Sequence, residues 1–314
     1  MQVLHSIAGL SAVPGPVCLA IGVFDGVHLG HQSVIRRAVE DAARLGGSAV
    51  VVTFDPHPIR VLRPEQAPRL LTSTGHKRLL IERLGVRNLL VIPFERTFAA
   101  LPPEAFVREL HAAARPLREI CVGYTWSFGR GRTGNLELLR LMGDQLGFDE
   151  IGLPAVEQDG EIVSSTRIRA CVEAGDLDHA GRMLGRQFSI FGTVTHGARL
   201  GHTLGFPTAN LRAHNEQFPP DGVYAVEAVL EGETARRGGV VNIGVRPTLR
   251  HSSGERLLEL HLFDFEGDLY ERHVEVFFHR FLRAEQKFAG LDALREQIAK
   301  DAGAARAALE QRAG

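Results

Sequence analysis

Lysine is almost missing from this 314-residue chain: Lys77, Lys287 and Lys300 are the only three among 36 basic residues. Arginine supplies the rest, so no single arginine points to a site by itself. An excess of either charge is missing too. With 36 basic and 37 acidic residues and a formal net charge of -1, the chain lacks the basic face that broad nucleic-acid binding requires. Nucleic acid is therefore not expected among its partners, and an anionic ligand must be held by local devices: helix N-termini, arginine clusters or a metal. Cysteine is scarce. Cys18, Cys121 and Cys171 are odd in number and lack C-x-x-C spacing, which excludes a disulfide framework and a zinc site and fits a reducing, cytoplasmic setting. The first residues lack a basic run, and His5, Pro14 and Pro16 interrupt their apolar stretch, so no secretory signal is read there. No apolar run approaches the length of a membrane span, so no membrane partner is expected. Internal repeats and low-complexity tracts are absent as well.

What remains is the composition of an ordinary globular protein, 44% hydrophobic and 23% charged, in a chain long enough for two domains. From Val17 to about Leu153, short apolar runs (Leu19–Phe24, Ala49–Phe54, Asn88–Ile92, Glu119–Gly123) alternate with helical-period segments such as His31–Leu45 and Lys77–Leu84. That alternation predicts a buried parallel sheet covered by helices. A helical stretch, Thr166–Leu184, ends this half. Beyond it Phe188–Thr195, Gly222–Leu230, Gly239–Ile243, Leu257–Phe265 and His273–Phe281 succeed one another with turn residues between, predicting an antiparallel barrel. Leu291–Leu309 carries Leu291, Leu294 and Ile298 on one face and is expected to pack on that barrel as a C-terminal helix. The expected division is 1–184 and 185–314.

Ligands of parallel sheets sit beyond the carboxyl ends of the strands. There the chain reads Gly22-Val23-Phe24-Asp25-Gly26-Val27-His28-Leu29-Gly30-His31. Gly22 and Gly26 permit a tight strand-to-helix turn, and the helix after it points its free N–H groups at whatever occupies it. His28 and His31 share one side of the first helical turn, where both can face a polyphosphate. Such a site suits charge stabilisation at phosphorus rather than nucleophilic attack. A bare His-x-Gly-His also reads as two incidental histidines in a chain that has 14, and the strand before and helix after weigh against that reading. Ser164-Ser165-Thr166-Arg167-Ile168-Arg169 is either a capped helix start with exposed arginines or a phosphate grip, Arg169 offering a fork of donors.

A second glycine-rich stretch runs from Gly192 through Gly197 and Gly201 to Leu204-Gly205-Phe206-Pro207-Thr208-Ala209-Asn210. Its backbone N–H groups can crowd a phosphate chain. Thr208 and Asn210 offer short oxygen ligands for a magnesium ion that keeps most of its waters, and Pro207 fixes the turn that aims them. A plain Gly/Pro-rich barrel loop is the alternative. Glu259, alternating with His261 on one face of an apolar strand, needs either a structural partner or a chemical role.

In order along the chain, these segments resemble the prokaryotic bifunctional riboflavin kinase/FMN adenylyltransferase (FAD synthetase) family. Gly22–His31 is similar to its nucleotidyltransferase signature, and Thr53-Phe54-Asp55-Pro56-His57-Pro58 to its segment at the flavin end of that site. Val122-Gly123 through Phe128-Gly129-Arg130-Gly131-Arg132 resembles its nucleotide loop, and Ser164–Arg169 its Ser-Ser-Thr-x-x-Arg element. Leu204–Asn210 resembles the riboflavin kinase motif. Asp221–Ala225, Asn242–Thr248, Glu259–Phe265 and Arg283–Phe288 come next in family order, so the resemblance runs from about Cys18 to Asp301.

The resemblance implies an α/β fold: a Rossmann-like nucleotidyltransferase domain followed by an antiparallel β-barrel riboflavin kinase domain with a C-terminal helix. It implies riboflavin, FMN and ATP as substrates, with Mg2+ held by Thr208 and Asn210. Glu259 would take the proton from the riboflavin 5′-hydroxyl. His28, His31 and Arg169 would stabilise charge during adenylyl transfer. Gly22, Phe24, Asp25, Gly26, Phe54, His57, Thr125, Arg132, Ser164, Ser165 and Thr166 would bind nucleotide or flavin at that site. On the barrel, that role falls to Gly192, Gly197, Gly205, Pro207 and Arg283. Three positions depart from the pattern: Thr125-Trp126 where Asp or Asn precedes an aromatic, His202 for Arg, and Glu271 for Gly. A hydroxyl is a poorer hard-cation ligand than a carboxylate, so a kinase with weak adenylyl transfer is the first alternative. A flavin-binding regulator without turnover is the second.

Overall fold

The computed structural model describes residues 1–195, 206–245 and 256–311. They divide into two compact units, Met1–Arg69 with Thr74–Ser165, and Leu70–Ser73 with Thr166–Gly314.

The first unit is a six-stranded sheet made of β1 (Gln2–Leu4), β2 (Val17–Ile21), β3 (Ser48–Asp55), β4 (Asn88–Pro93), β5 (Leu117–Gly123) and β6 (Asp149–Leu153). Their order is β1-β4-β3-β2-β5-β6, and every pairing is parallel. The expected sheet is therefore present. Helices α1 (Leu29–Arg44), α2 (Pro58–Leu62), α3 (Thr74–Glu82), α4 (Arg96–Ala99), α5 (Pro103–Ala113) and α6 (Leu136–Leu146) connect the strands. All five residues of β2 are buried, because the strand is covered on both faces. Val17, Leu19 and Ile21 enter one core with Phe106, Leu110 and Leu139, while Cys18 and Ala20 enter the other with Ile35, Ala38 and Ile81. From β2 the chain winds outward to β3 and β4, then returns to lay β5 on the other side of β2. The strand order thus reverses between β2 and β5, and the crevice at that switch point is where an open α/β sheet receives its ligand. A short hairpin, β7 (Glu157–Gln158) and β8 (Glu161–Ile162), completes this unit.

The second unit carries the predicted barrel. Strands β9 (Ser189–Thr195), β10 (Ala209–Ala213), β11 (Gly222–Leu230), β12 (Arg237–Val245), β13 (Arg256–Leu262) and β14 (His273–Arg283) close in the order β10-β13-β12-β11-β14-β9, all antiparallel. Leu258, Leu260 and Leu262 of β13 are buried while Glu259 and His261 are only half-buried, the alternation of a strand with one face to a core. The helical stretch over Thr166–Leu184 consists of two helices, α7 (Ser165–Ala174) and α8 (Leu177–Leu184). Gly175 at φ 81° breaks the run, and Asp176 caps the second helix by accepting from the His179 N–H at 3.1 Å. The helix α9 (Leu291–Glu310) packs on β11, β12 and β14. Leu70–Ser73 belongs here through backbone bonds of Glu216 and Gln217 to the Leu70 carbonyl, at 2.9 and 3.0 Å.

Candidate active sites

In the first unit the turn leaving β2 carries the predicted signature, and its backbone is unusual. Phe24 (φ 52°), Gly26 (φ 85°) and Val27 (φ 41°) are all left-handed. For the two non-glycine residues this conformation costs about 1–3 kcal/mol each and persists only where neighbours enforce it. Gly22 is required for a different reason: a Cβ there would lie 2.9 Å from the Phe24 ring. That ring covers Gly22 and meets His31 edge-on at 5.3 Å, while the His28 and His31 rings stack at 3.5 Å. His28 is the N-cap of α1, its Nδ1 accepting from the His31 N–H at 3.3 Å. An accepting Nδ1 leaves the ring proton on Nε2, so His28 acts as a donor from that nitrogen. Asp25 is buried, and its carbonyl accepts from Ser165 Oγ at 2.9 Å, which brings Ser165 of the Ser-Ser-Thr element to this turn.

The other predicted residues of this unit lie on the segments after β3 and β5. Phe54, near the end of β3, is buried and begins an aromatic series through Phe94 and Phe98 to Phe106, Phe128 and Trp126. His57 caps α2 by accepting from the Ile59 N–H at 3.2 Å. Thr125 and Arg132 are exposed in the segment after β5, where Arg132 donates to Ser127 Oγ at 2.7 Å. Ser164 precedes α7. Thr166 and Arg169 lie on that helix, within the second unit. Sequence reasoning passed over Lys77, whose ammonium donates to the Val23 carbonyl at 2.7 Å beneath the turn. A signal was there: Lys77 is a rare lysine on the apolar stripe of a helix, in line with Leu80 and Ile81. Burial pushes its ammonium below the usual lysine range, and Asp25 and Asp55 pull it back.

The second site is set by strand register. Across the barrel wall, Thr195 lies opposite Asn210, Asn210 opposite Glu259, Glu259 opposite Asn242, Asn242 opposite Val223, and Val223 opposite Arg283. Directly paired residues point to the same face, and Leu258 and Leu260 take the inner one. A single row of side chains thus crosses the outside of the barrel, and its β11, β12 and β14 members lie on the strands that α9 covers. A pocket of about 160 Å³ opens there, lined by Thr208, Asn242, Glu259 and Arg283 from the barrel side and by Leu294 and Asp301 of α9. Arg283 is held by Asp301 through Nε at 3.0 Å and Nη2 at 2.8 Å, and His261 Nδ1 lies 2.8 Å from the Pro207 carbonyl. Thr208 and Pro207 are exposed, and Asn210 is buried. Gly192 sits within β9, where its missing side chain admits the Arg212 carbonyl, 2.5 Å from the place of a Cβ. Gly197 and Gly205, like Gly201 and His202, lie outside the described residues. Asn242 and Asp301 were not among the predicted site residues. Asn242 shows itself only once register places it beside Glu259.

Thr208, Asn210 and Glu259 together offer a hydroxyl, an amide oxygen and one carboxylate. All are hard oxygen donors, the set a magnesium ion takes when substrate phosphates and water complete its shell. The residues present fit that ion.

Comparison with known proteins covers both halves. The FAD synthetase family model matches residues 11–167 and the riboflavin kinase model residues 184–309. The bifunctional riboflavin kinase/FMN adenylyltransferase of Escherichia coli K12 is 38% identical over 302 residues, 96% of each chain. That of Pseudomonas fluorescens is 39% identical over 307 residues, 98% of this chain and 97% of its own. Among solved structures, one described as a macrolide-efflux protein from Streptococcus pneumoniae superposes with a TM-score of 0.78 at 28% identity, covering 96% of this chain and 97% of its own. Among the described residues here, no helix is long and apolar enough to cross a membrane. Matched along nearly its whole length, one model on the parallel sheet and the other on the barrel, this chain belongs to the bifunctional riboflavin kinase/FMN adenylyltransferase family.

Proposed function

We propose that the chain carries out two successive ATP-dependent transfers in the cytoplasm, riboflavin to FMN on the barrel and FMN to FAD on the parallel sheet. The observation that supports this reading is Glu259, directly opposite Asn210 in register and lining one pocket with Thr208, on a chain whose other half stacks His28 on His31 in the turn after β2. A functional division at 184/185 is supported by the riboflavin kinase match, which begins at residue 184.

On the barrel, Glu259 accepts the proton of the riboflavin 5′-hydroxyl as its oxygen attacks the γ-phosphorus of ATP, the bond to the β–γ bridging oxygen breaks and ADP leaves. Thr208 and Asn210 hold Mg2+, which when bound neutralises phosphate charge. Arg283, fixed by Asp301, shapes the flank of the pocket. Positioning and charge neutralisation carry most of such a transfer. Pro207, Gly192, Gly197 and Gly205 contribute to nucleotide or flavin binding on the barrel.

On the sheet, an FMN phosphate oxygen attacks the α-phosphorus of a second ATP, and pyrophosphate leaves. His28, donating from Nε2, His31 and Arg169 offset the charge that develops on the α-phosphate and the leaving group. Gly22, Phe24, Asp25 and Gly26 form the floor. Ser164, Ser165, Thr166, Thr125 and Arg132 hold nucleotide, while Phe54 and His57 stand at the flavin end.

The test is a time course with purified protein, riboflavin, ATP and magnesium, the flavins separated by chromatography. FMN is expected first and FAD after it. FMN alone would overturn the assignment to the first unit and point to Thr125. Unchanged riboflavin, with FAD formed only from added FMN, would overturn the assignment to the barrel.

A further inference from the structure

The catalytic reading leaves Lys77 without a role, yet Lys77 is 5% exposed, and burying an ammonium is among the costlier things a fold does. Its partners account for the burial. Nζ donates to the Val23 carbonyl at 2.7 Å and lies 3.4 Å from Thr53 Oγ1, and Thr53 Oγ1 donates to the same carbonyl at 3.0 Å. One oxygen therefore receives two donors, from α3 and from β3. It belongs to the peptide immediately before Phe24, where the chain turns left-handed.

Fixing that peptide also fixes Phe24. This residue needs an enforced backbone, and its ring is the contact through which the turn meets the edge of His31 at 5.3 Å. The charges facing the ammonium are Asp25, from the same turn, and Asp55, from the end of β3. Lys77 thus balances a buried carboxylate and holds a strained peptide at once. Thr53 alone could supply a hydrogen bond but no charge.

We propose that Lys77 is a positioning residue for adenylyl transfer: its ammonium locks the Val23 carbonyl and, through Phe24, holds His31 in place. The proposal rests on the reading of the first unit as the adenylyltransferase. Lys77 acts through the turn rather than on substrate or reacting atoms, and its effect falls on kcat rather than on KM.

The test uses the full chain with Lys77→Met, which keeps the length and packing of the side chain and removes the charge and donors. FAD formation from supplied FMN and ATP is expected to lose about 10- to 100-fold in kcat, the scale of a small misplacement at a reacting centre. KM should change little, riboflavin phosphorylation should be unchanged, and the melting temperature should stay within a few degrees of the parent. Lys77→Arg, which keeps charge and donors, should recover part of the lost rate. FAD kcat within twofold of the parent in Lys77→Met would overturn the proposal. So would loss of FAD formation that tracks loss of thermal stability with no recovery in Lys77→Arg, since that is the signature of packing alone. A parent enzyme that makes no FAD at all would strike the adenylyltransferase reading, and this proposal would fall with it. FAD made equally by parent and variant would strike Lys77 alone.

Discussion

The two candidate sites are built from different parts of the chain. At the first, the backbone sets the shape: a left-handed turn after β2, a helix N-terminus, and buried polar groups packed against the turn. At the second, the described backbone is regular barrel strand, and the site is a row of side chains brought into line by register. The difference has consequences for substitution. A change at the first site disturbs geometry before chemistry, because Gly22, Phe24 and His31 are packed on one another. A change at Glu259 alters chemistry and leaves the strand intact, since its neighbours Leu258 and Leu260 carry the packing.

The strongest test of that contrast is a pair of substitutions read in both assays. Glu259→Gln keeps shape and removes the base, and should lower FMN formation by about 10²- to 10⁴-fold, the usual worth of a general base. FAD formation from supplied FMN should be untouched. His31→Asn should lower FAD formation by about 10²- to 10³-fold, the scale of losing one charge-stabilising donor, with FMN formation intact. Glu259→Gln should also melt like the parent, whereas His31→Asn should lower the melting temperature, because the His31 ring packs against both His28 and Phe24. Loss of both activities in either variant would break the comparison.

How much of the molecule is legible in its sequence divides along the same line. The four inner parallel strands, β2 to β5, can be read because both faces are buried and the apolar runs are continuous, as in Val17–Ile21, whereas the edge strands β1 and β6 are only partly buried and carry no such run. Strand β10 cannot, because Ala209–Ala213 is short and its predecessors Gly205 and Pro207 read as loop. The break at Gly175 escapes a sequence reading because an isolated glycine is tolerated in a helix, and only its left-handed φ ends this one. At the first site, spacing shows His28 and His31 but not Lys77, since no sequence period links a residue of α3 to a carbonyl 54 positions earlier. At the second, Glu259 is visible as a carboxylate in an apolar strand. Asn210 is visible too, in its Pro-Thr-Ala-Asn cluster, but that it and Asn242 stand opposite Glu259 is set by long-range register, which composition and periodicity do not encode.

A smaller effect sharpens the contrast from the side of the barrel. Arg283 lines the pocket and is gripped by Asp301, which also accepts from Gln297 Nε2 at 2.8 Å within α9. Asp301 is mostly buried, so the pair is better than a surface ion pair. Asp301→Asn keeps the shape and removes the charge. It should cost about 1.5–3 kcal/mol, the range for hydrogen bonds to charged groups. It should also slow FMN formation, through a looser Arg283, by less than Glu259→Gln does. FAD formation from FMN should not change. Denaturant unfolding followed with both assays reads all three, and an unchanged kinase rate would show that α9 merely covers the site.

The smallest effect concerns how each unit tolerates pH, and here the two should diverge in sign. In the first unit, Asp41 and Glu119 are buried side by side, with Arg37 and Arg44 on Asp41 and the Cys121 thiol donating to Glu119 at 2.9 Å. Burial pushes Glu119 above the usual carboxyl range, and Asp41 beside it adds to the rise. A folded value raised above the unfolded one means stability that is full in acid and lost as pH climbs through the raised value. Glu119→Gln keeps the hydrogen bonds and cannot ionise, so it should match the parent near about pH 4 and exceed it by a few degrees at alkaline pH. Glu227 of the barrel behaves oppositely. Burial alone would raise it, but Arg236 and His279 hold it below its usual range. Its contribution is present above the ordinary carboxylate range and is lost as pH falls through the depressed value. Glu227→Gln should therefore melt below the parent at neutral pH and converge with it in acid. Calorimetry of both variants across pH would show one difference growing with pH from acid to alkaline and the other fading as pH falls. A Glu119→Gln difference that stays flat with pH would mean that burial beside Asp41 does not raise Glu119.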